Sequence, residues 1–237
     1  MGSMVDFASL AYRDAGRGVG RAAISGNDTQ RMAAEAIRLA PGAVLAERVR
    51  DGSDLYFYAL SGAAEIAVNG DVHALAQDSF ATLEESTEFT LANRGSAPAT
   101  IVCVVAPPAG NGAGGAGFRG GIAVTARNGA PVADLPEQKK RRLYFVDDAA
   151  ARSERAHAMI VEYQADTVTV MHHHPNADSM FVPLTGKVRF TFNGKDHIVS
   201  RGQATVFPAG DHHGLRVEEG KVSFLEFHIP AKYVTVK

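Results

Sequence analysis

The strongest regularity along the chain is an alternation of apolar and polar residues with a period of two. Glu65-Ile-Ala-Val68 and Arg189-Phe-Thr-Phe192 each put their large apolar residues at every second position. That is the pattern of a strand with one face in a core. Both stretches run into Asn-Gly, at Asn69-Gly70 and Asn193-Gly194. This dipeptide tolerates positive φ at both centres of a type I′ turn, so it predicts two tight hairpins. Thr167-Val168-Thr169-Val170 alternates in the same way. Many short strands, Gly-rich turns and few helical stretches predict an all-β chain built as a sandwich or barrel. Short helices are expected only over Leu135–Arg142 and Asp147–His157.

The pattern occurs twice. At a constant offset of 124 residues, the distance from Gly62 to Gly186, the stretch Leu55–Leu75 aligns without a gap with Ser179–Val199. Phe57 meets Phe181, Leu60 meets Leu184 and His73 meets His197. A fixed-period repeat of this kind predicts two structural units of one design. They are expected over residues 22–108 and 122–237, with the Gly-rich stretch 109–121 as a flexible linker.

Composition narrows the function classes. A chain of 237 residues is long enough for two small cores, and 46% hydrophobic with 21% charged residues is ordinary for a globular protein. The net charge of −2 offers no basic surface for nucleic acid. Apolar runs such as Ile101–Pro108 are too short to span a bilayer, so no membrane partner is expected. The start lacks the pattern of a signal peptide, and Met1-Gly-Ser-Met4 reads as a cloning remnant to be set aside. The single cysteine, Cys103, lies in an apolar run and is expected to be a buried strand residue. One cysteine makes no intrachain disulfide, which fits a cytoplasmic protein.

Candidate chemistry sits in the second half. Five of the nine histidines form two clusters, His172-His173-His174 and His212-His213. On a strand, His172 and His174 share a face and His173 points the other way. If the strand runs unbroken from Val168, then Val168 and Val170 share that face and mark it as the inward one. Two imidazoles on one inward face, joined by a third from a neighbouring strand, can hold a divalent first-row metal ion. Glu226 and His228 alternate with Leu225, Phe227 and Ile229. Either set could face inward, and a carboxylate facing in beside a metal could serve as general base.

Two motifs resemble those of the cupin superfamily. The stretch His172–Gly186 is similar to the first cupin motif, with His-x-His, a short gap, a position usually held by Glu, and Gly. Gly202, Pro208, Gly210 and His213 have the spacing of the second. With the repeat, the resemblance implies a double-domain cupin: two tandem jelly-roll β-barrels. It implies His172, His174 and His213 as metal ligands, with His212 facing away. The usual Glu position falls on Ser179, a poor ligand. The site is therefore expected to be three histidines with water, with Asp178 as the alternative carboxylate. At the constant offset His172 and His174 map to Arg48 and Arg50, and His213 maps to Phe89. The first barrel is thus expected to hold no metal. Its two arginines would face inward and pair with carboxylates such as Glu65 or Glu84, or else bind an anion.

The resemblance implies one divalent transition metal, Fe(II) by preference, with Mn, Ni, Zn and Co compatible. The expected partner is a small-molecule substrate, and a homodimer is compatible with the family. A neutral three-imidazole set suits an anionic chelating substrate, so a dioxygenase-type oxidoreductase is the leading expectation. A metal-dependent isomerase or hydrolase, in which Glu226 or Asp178 moves the proton, is the second. A non-catalytic ligand-binding cupin is the third.

Overall fold

The computed structural model describes residues 1–111 and 114–237. The strands gather into two seven-stranded and two four-stranded antiparallel sheets, one of each kind for each half of the chain. In the first half the small sheet holds Val44–Arg48, Glu88–Ala92, Ala64–Val68 and Asp71–Leu75. In the second it holds Val168–His172, His213–Arg216, Lys187–Phe192 and Lys195–Ser200. The two small sheets repeat one strand order. Both expected hairpins form: Asn69 and Gly70 have φ of 54° and 90°, and Asn193 and Gly194 have 51° and 71°. Residues 65–68 and 189–192 alternate between half-buried and buried as their sequences require.

Gly62 and Gly186 are fixed by the same contact. Both have positive φ, 70° and 71°. A Cβ on Gly62 would stand 2.7 Å from the Pro98 carbonyl oxygen, and one on Gly186 would stand 2.5 Å from that of Lys221. Neither distance is open to a side chain, so glycine is required twice, once per repeat.

Three apolar clusters form the core. One fills the first barrel around Phe57, Ile66 and Leu91. Another fills the second around Phe181, Phe190 and Phe224. The third joins the halves, where the seven-stranded sheets meet back to back. There Phe80 stacks on Phe145 with ring centres 4.7 Å apart, and Tyr56 packs 6.0 Å from Phe227. Cys103 lies 2% exposed in the first core, where burial pushes its thiol well above the ordinary range.

Edge strands are exchanged between the halves. Ser3–Asp6 pairs with Gln203–Phe207 in the second half's sheet, and Ile122–Ala126 pairs with Ser79–Leu83 in the first half's. A sheet division at residue 122 is therefore not the one observed. Each half covers an edge of the other that would otherwise expose unpaired backbone groups. The first residues, expected to be extraneous, are built in. Gly2 is buried on Phe207, and its carbonyl accepts a hydrogen bond from Asn193 Nδ2 at 2.8 Å.

The Gly-rich stretch is docked over its described part. Asp54, fully buried, accepts hydrogen bonds from Phe118 N, Ser153 Oγ and the Arg155 guanidinium. Arg155 also pairs with Glu85 at 2.9 Å. Glu84 accepts from Gly120 N and Gly121 N, both at 2.9 Å. The expectation of a free spacer is corrected for residues 115–121, because charged groups of both halves satisfy its backbone. Residues 112 and 113 lie outside the described set. The two expected helices are also absent. Val132–Leu135 and Lys140–Val146 are strands joined by a short 3₁₀ turn, and 147–156 is irregular. Lys140, Arg142 and Tyr144 alternate with Arg141, Leu143 and Phe145 in a strand period that a helical reading overlooks. No helix among the described residues is long and apolar enough to cross a membrane.

Candidate metal centre

His172 ends the strand Val168–His172 and lies directly opposite His213, the first residue of His213–Arg216. His174 follows two residues later. It is held where its own carbonyl accepts the Gly210 N–H at 2.9 Å, at the turn that leads into His213. Gly210 has φ of 88°, which explains glycine in that turn. The result brings three imidazoles together. Ring centres are 4.4 Å apart for His172 and His213, 5.0 Å for His172 and His174, and 5.5 Å for His174 and His213. Their exposures are 8%, 4% and 1%. One ring nitrogen from each lies within 4.8 Å of the others, the group of three ligand atoms found among the described residues.

Each ring is oriented by the same device. Nδ1 faces a backbone carbonyl in all three: Val170 at 2.9 Å for His172, Val234 at 3.0 Å for His174, and Asp211 at 3.1 Å for His213. A carbonyl only accepts, so Nδ1 carries the proton and Nε2 keeps its lone pair. The Nε2 atoms of His174 and His213 are buried with no hydrogen-bond partner. Burial, the largest cause in each case, lowers all three imidazoles, His174 to about 4 and His213 to about 3. The rings are neutral at pH 7. Neutral, oriented imidazoles with unused buried lone pairs are a donor set for a divalent transition metal.

The inward facing of His172 and His174 does not come from the valines. Val168 and Val170 are 52% and 54% exposed. A bulge between Thr169 and His172 adds one residue to this strand, so its alternation restarts before the histidines. Gly214 lets the bulge close, since a Cβ there would stand 3.1 Å from both Met171 Sδ and the Thr169 carbonyl oxygen. His173 takes the outer face, where its ring lies 4.3 Å from that of His212.

The same bulge displaces the expected arginine positions. In the first barrel Phe89 lies opposite Glu47 with no irregularity. Glu47 therefore corresponds to His172 and Val49 to His174. Val49 is 3% exposed, whereas Arg48 and Arg50 are exposed. Arg48 pairs with Asp51 at 2.9 Å, and Arg50 donates to Ser53 Oγ and to the Pro107 and Pro108 carbonyls. Glu65 and Glu84 instead face Arg94 and Arg119. Glu47 is taken by Arg21, which also holds Glu35.

The usual Glu position of the first motif falls on Ser179, fully buried, whose Oγ is 2.9 Å from His228 Nδ1. His228 Nε2 lies 2.6 Å from Glu226 Oε1. The strand Val222–Ile229 is central and buried on both faces, so Glu226 and His228 are buried along with Leu225, Phe227 and Ile229. Burial pushes the Glu226 carboxyl up, yet the His228 hydrogen bond and the nearby Arg142 guanidinium hold it below its ordinary value. With Glu226 ionised, His228 Nε2–H donates to it, and Ser179 Oγ is hydrogen-bonded to the other ring nitrogen. Asp178 stands apart from the triad's donor set. Its oxygens accept the Arg31 N–H at 2.6 Å and the Ala209 N–H at 2.9 Å. His228 was undecided from sequence, and Tyr233 had no signal there. Its ring stacks on His228 with centres 3.9 Å apart.

A family model of the cupin domain matches twice, over residues 36–105 and 159–228. The curated Streptomyces glaucescens protein "Tetracenomycin polyketide synthase protein TcmJ" is 33% identical over 71 residues, covering 30% of this chain. That match spans about half, 48%, of the curated relative's length. Among solved structures, Ylba from E. coli aligns with a TM-score of 0.79 at 11% identity, over 99% of this chain and 93% of its own. A salicylate 1,2-dioxygenase from Pseudaminobacter salicylatoxidans aligns at 0.77 and 12% identity, over 97% and 84%. An oxalate decarboxylase from Lactobacillus farciminis aligns at 0.71 and 11% identity, over 99% and 88%. Two family matches, one on each of two barrels of like strand order, show that the chain belongs to the cupin family as a double-domain member.

Proposed function

We propose that the second barrel is the active site of a mononuclear-metal oxidoreductase of the dioxygenase type, acting on a small anionic or chelating organic substrate. The observation that carries this reading is the set of three buried imidazoles with Nδ1 on carbonyls, two of them with a buried, unpartnered Nε2. His172, His174 and His213 would hold the ion, Fe(II) by preference. The bound metal would supply a full dipositive charge and open positions for an anionic substrate and O₂. The fold is shared with a salicylate 1,2-dioxygenase, which supports the reaction class.

The chain's own residues prepare the site. Val188, Phe190 and Phe181 form a dry apolar floor that excludes water. Ser179 Oγ is hydrogen-bonded to His228, which leaves the imidazole set without a carboxylate. A second reading is favoured by one feature, the buried Glu226–His228 pair beside the triad. A carboxylate there fits an isomerase or hydrolase in which the metal acts only as a Lewis acid.

Anaerobic reconstitution with Fe(II), followed by O₂ uptake with aromatic and keto acids, tests the proposal. Substrate-dependent uptake supports it. Conversion of substrate without uptake assigns the second reading. A loaded metal with no turnover leaves a ligand-binding cupin.

A further inference from the structure

Arg142 lies on a face of the second barrel that the metal chemistry does not account for. Three rungs cross that face: His157–His228–Ser179, then Tyr144–Met159–Glu226–Phe181, then Arg142–Val161–Phe224. Val161, Phe224 and Phe181 on these rungs belong to the barrel core, so the Arg142 side chain starts from the barrel's inner face. Its Nε is buried without a hydrogen-bond partner. The nearby carboxylate, Glu226, has its Oε1 bound by His228. A buried guanidinium N–H without an acceptor is costly and needs a reason.

A second observation concerns what fills the space between this arginine and the histidines. Beyond the last strand, Tyr233 turns into the barrel mouth. Its ring is stacked on His228 at 3.9 Å and meets His174 edge-on at 5.1 Å. Burial, the largest cause, raises its hydroxyl above the ordinary value, with the Glu226 carboxylate adding to that and the Arg142 guanidinium opposing it. The segment around it lies on the surface and is pinned by its backbone. Lys232, Val234 and Val236 are exposed. Its ties are the Val234 carbonyl to His174 Nδ1 and the Val234 N–H to Asn176, the Lys232 carbonyl to Asn176 Nδ2, Thr235 Oγ1 to His174, the Ala231 N–H to the Glu154 carbonyl, and a pair of hydrogen bonds between Val236 and His173. Its one aromatic ring is half-buried against the imidazoles.

We propose that Tyr233 holds in cis the place of an aromatic carboxylate, whose ring would lie against His228 and His174 and whose carboxylate would engage the Arg142 guanidinium. A planar guanidinium matches a carboxylate with two parallel hydrogen bonds. The aryl group replaces the Tyr233 ring on the same imidazoles, the Tyr233 side chain turning out while the Val234 carbonyl stays on His174 Nδ1. This names the substrate class for the metal-enzyme reading above and rests on it for the reaction. Binding itself needs only the barrel.

Calorimetric titration of benzoate, with benzamide as the neutral control, tests the proposal on metal-free and metal-loaded full-length protein. Tyr233→Ala is expected to bind benzoate at least tenfold tighter than the wild type, because the plug is gone. Tyr233→Phe is expected to match the wild type. Adding Arg142→Met to Tyr233→Ala should lose at least tenfold of the benzoate affinity and leave benzamide unchanged. Arg142→Gln, which keeps a polar group, guards against a folding defect and should show the same selective loss. Equal benzoate affinity with and without Arg142, or no gain in Tyr233→Ala, overturns the proposal. Tight benzoate binding by Tyr233→Ala in a protein that shows no O₂ uptake supports it and sinks only the oxidoreductase reading.

Discussion

Phe89 and His213 stand at the same point of the two repeats, and the barrels diverge around them. Phe89 packs edge-on against Phe57 at 5.5 Å, and His213 lies in the same way on Phe181 at 5.7 Å. Opposite Phe89 is Glu47, bound to Arg21; opposite His213 is His172, with its Nδ1 on the Val170 carbonyl. One barrel has closed its mouth with an aromatic pair and an ion pair. The other keeps neutral nitrogen donors there. The difference includes one inserted residue as well as the changed side chains. The bulge before His172 turns both His172 and His174 inward and needs Gly214 beside it, where the first barrel has Thr90 in a regular ladder. A site can thus be gained or lost through strand register while the sheet around it stays the same.

The sharpest way to break the comparison is to remove one imidazole. His174→Ala should reduce metal content from about one ion per chain to less than a tenth, with the unfolding transition of the metal-free protein retained. Elemental analysis with circular dichroism checks both. His173→Ala, Arg48→Ala and Arg50→Ala should keep the ion. Loss of metal in His173→Ala as complete as in His174→Ala would show the strand faces to be misassigned.

The interface between the barrels should respond in stability and leave the donor set alone. Arg155→Leu leaves the Asp54 carboxylate, fully buried, without its guanidinium. Breaking a buried pair from one side costs about 3–5 kcal/mol, to be read from urea unfolding. Metal content at 10 °C should not change, and a loss of metal there would mean that the site depends on the interface.

Gly214→Ala should have a smaller effect. Its Cβ presses on the bulge at 3.1 Å. Metal affinity is expected to fall severalfold, measured by competition with a chelator, while Thr90→Gly in the first barrel leaves it unchanged.

Much of this was legible from sequence because it is local. The Asn-Gly turns, the paired Gly62 and Gly186 and the two histidine clusters each follow from a few adjacent residues. What was not legible depends on pairing between distant strands. The bulge is a mismatch between Val168–His172 and a partner some forty residues on, so the exposed Val168 and Val170 misled the parity argument while its result for His172 held. The exchanged edges Ser3–Asp6 and Ile122–Ala126 are invisible for the same reason. Arg142 lies far from the motifs in sequence and is brought to the second barrel's inner face by the sheet order, and Tyr233 meets the imidazoles from beyond the last strand.

Acid should separate the barrels by the smallest effect. His174 and His213 have folded values of about 4 and 3, below the ordinary 6.5. The unfolded chain therefore binds more protons between those values, and the metal-free second barrel loses stability as pH falls from about 6.5 toward 4. Glu84, which holds Gly120 and Gly121, is lowered from 4.5 to about 2, first by the Arg119 hydrogen bond and then by those two amides. Its contribution is present above 4.5 and is lost only as pH falls toward 2. Hydrogen exchange corrected for intrinsic rates should show residues 172–174 and 213–216 losing protection by pH 5, with Gly120 and Gly121 still protected.

The central claim is one metal site, in the second barrel only. An anomalous difference map from crystals of protein reconstituted with Fe(II) tests it most directly. The account predicts a single peak about 2.0–2.2 Å from Nε2 of His172, His174 and His213. A peak between Glu47 and Phe89, a peak on the outer pair His173 and His212, or no peak at the triad would contradict it.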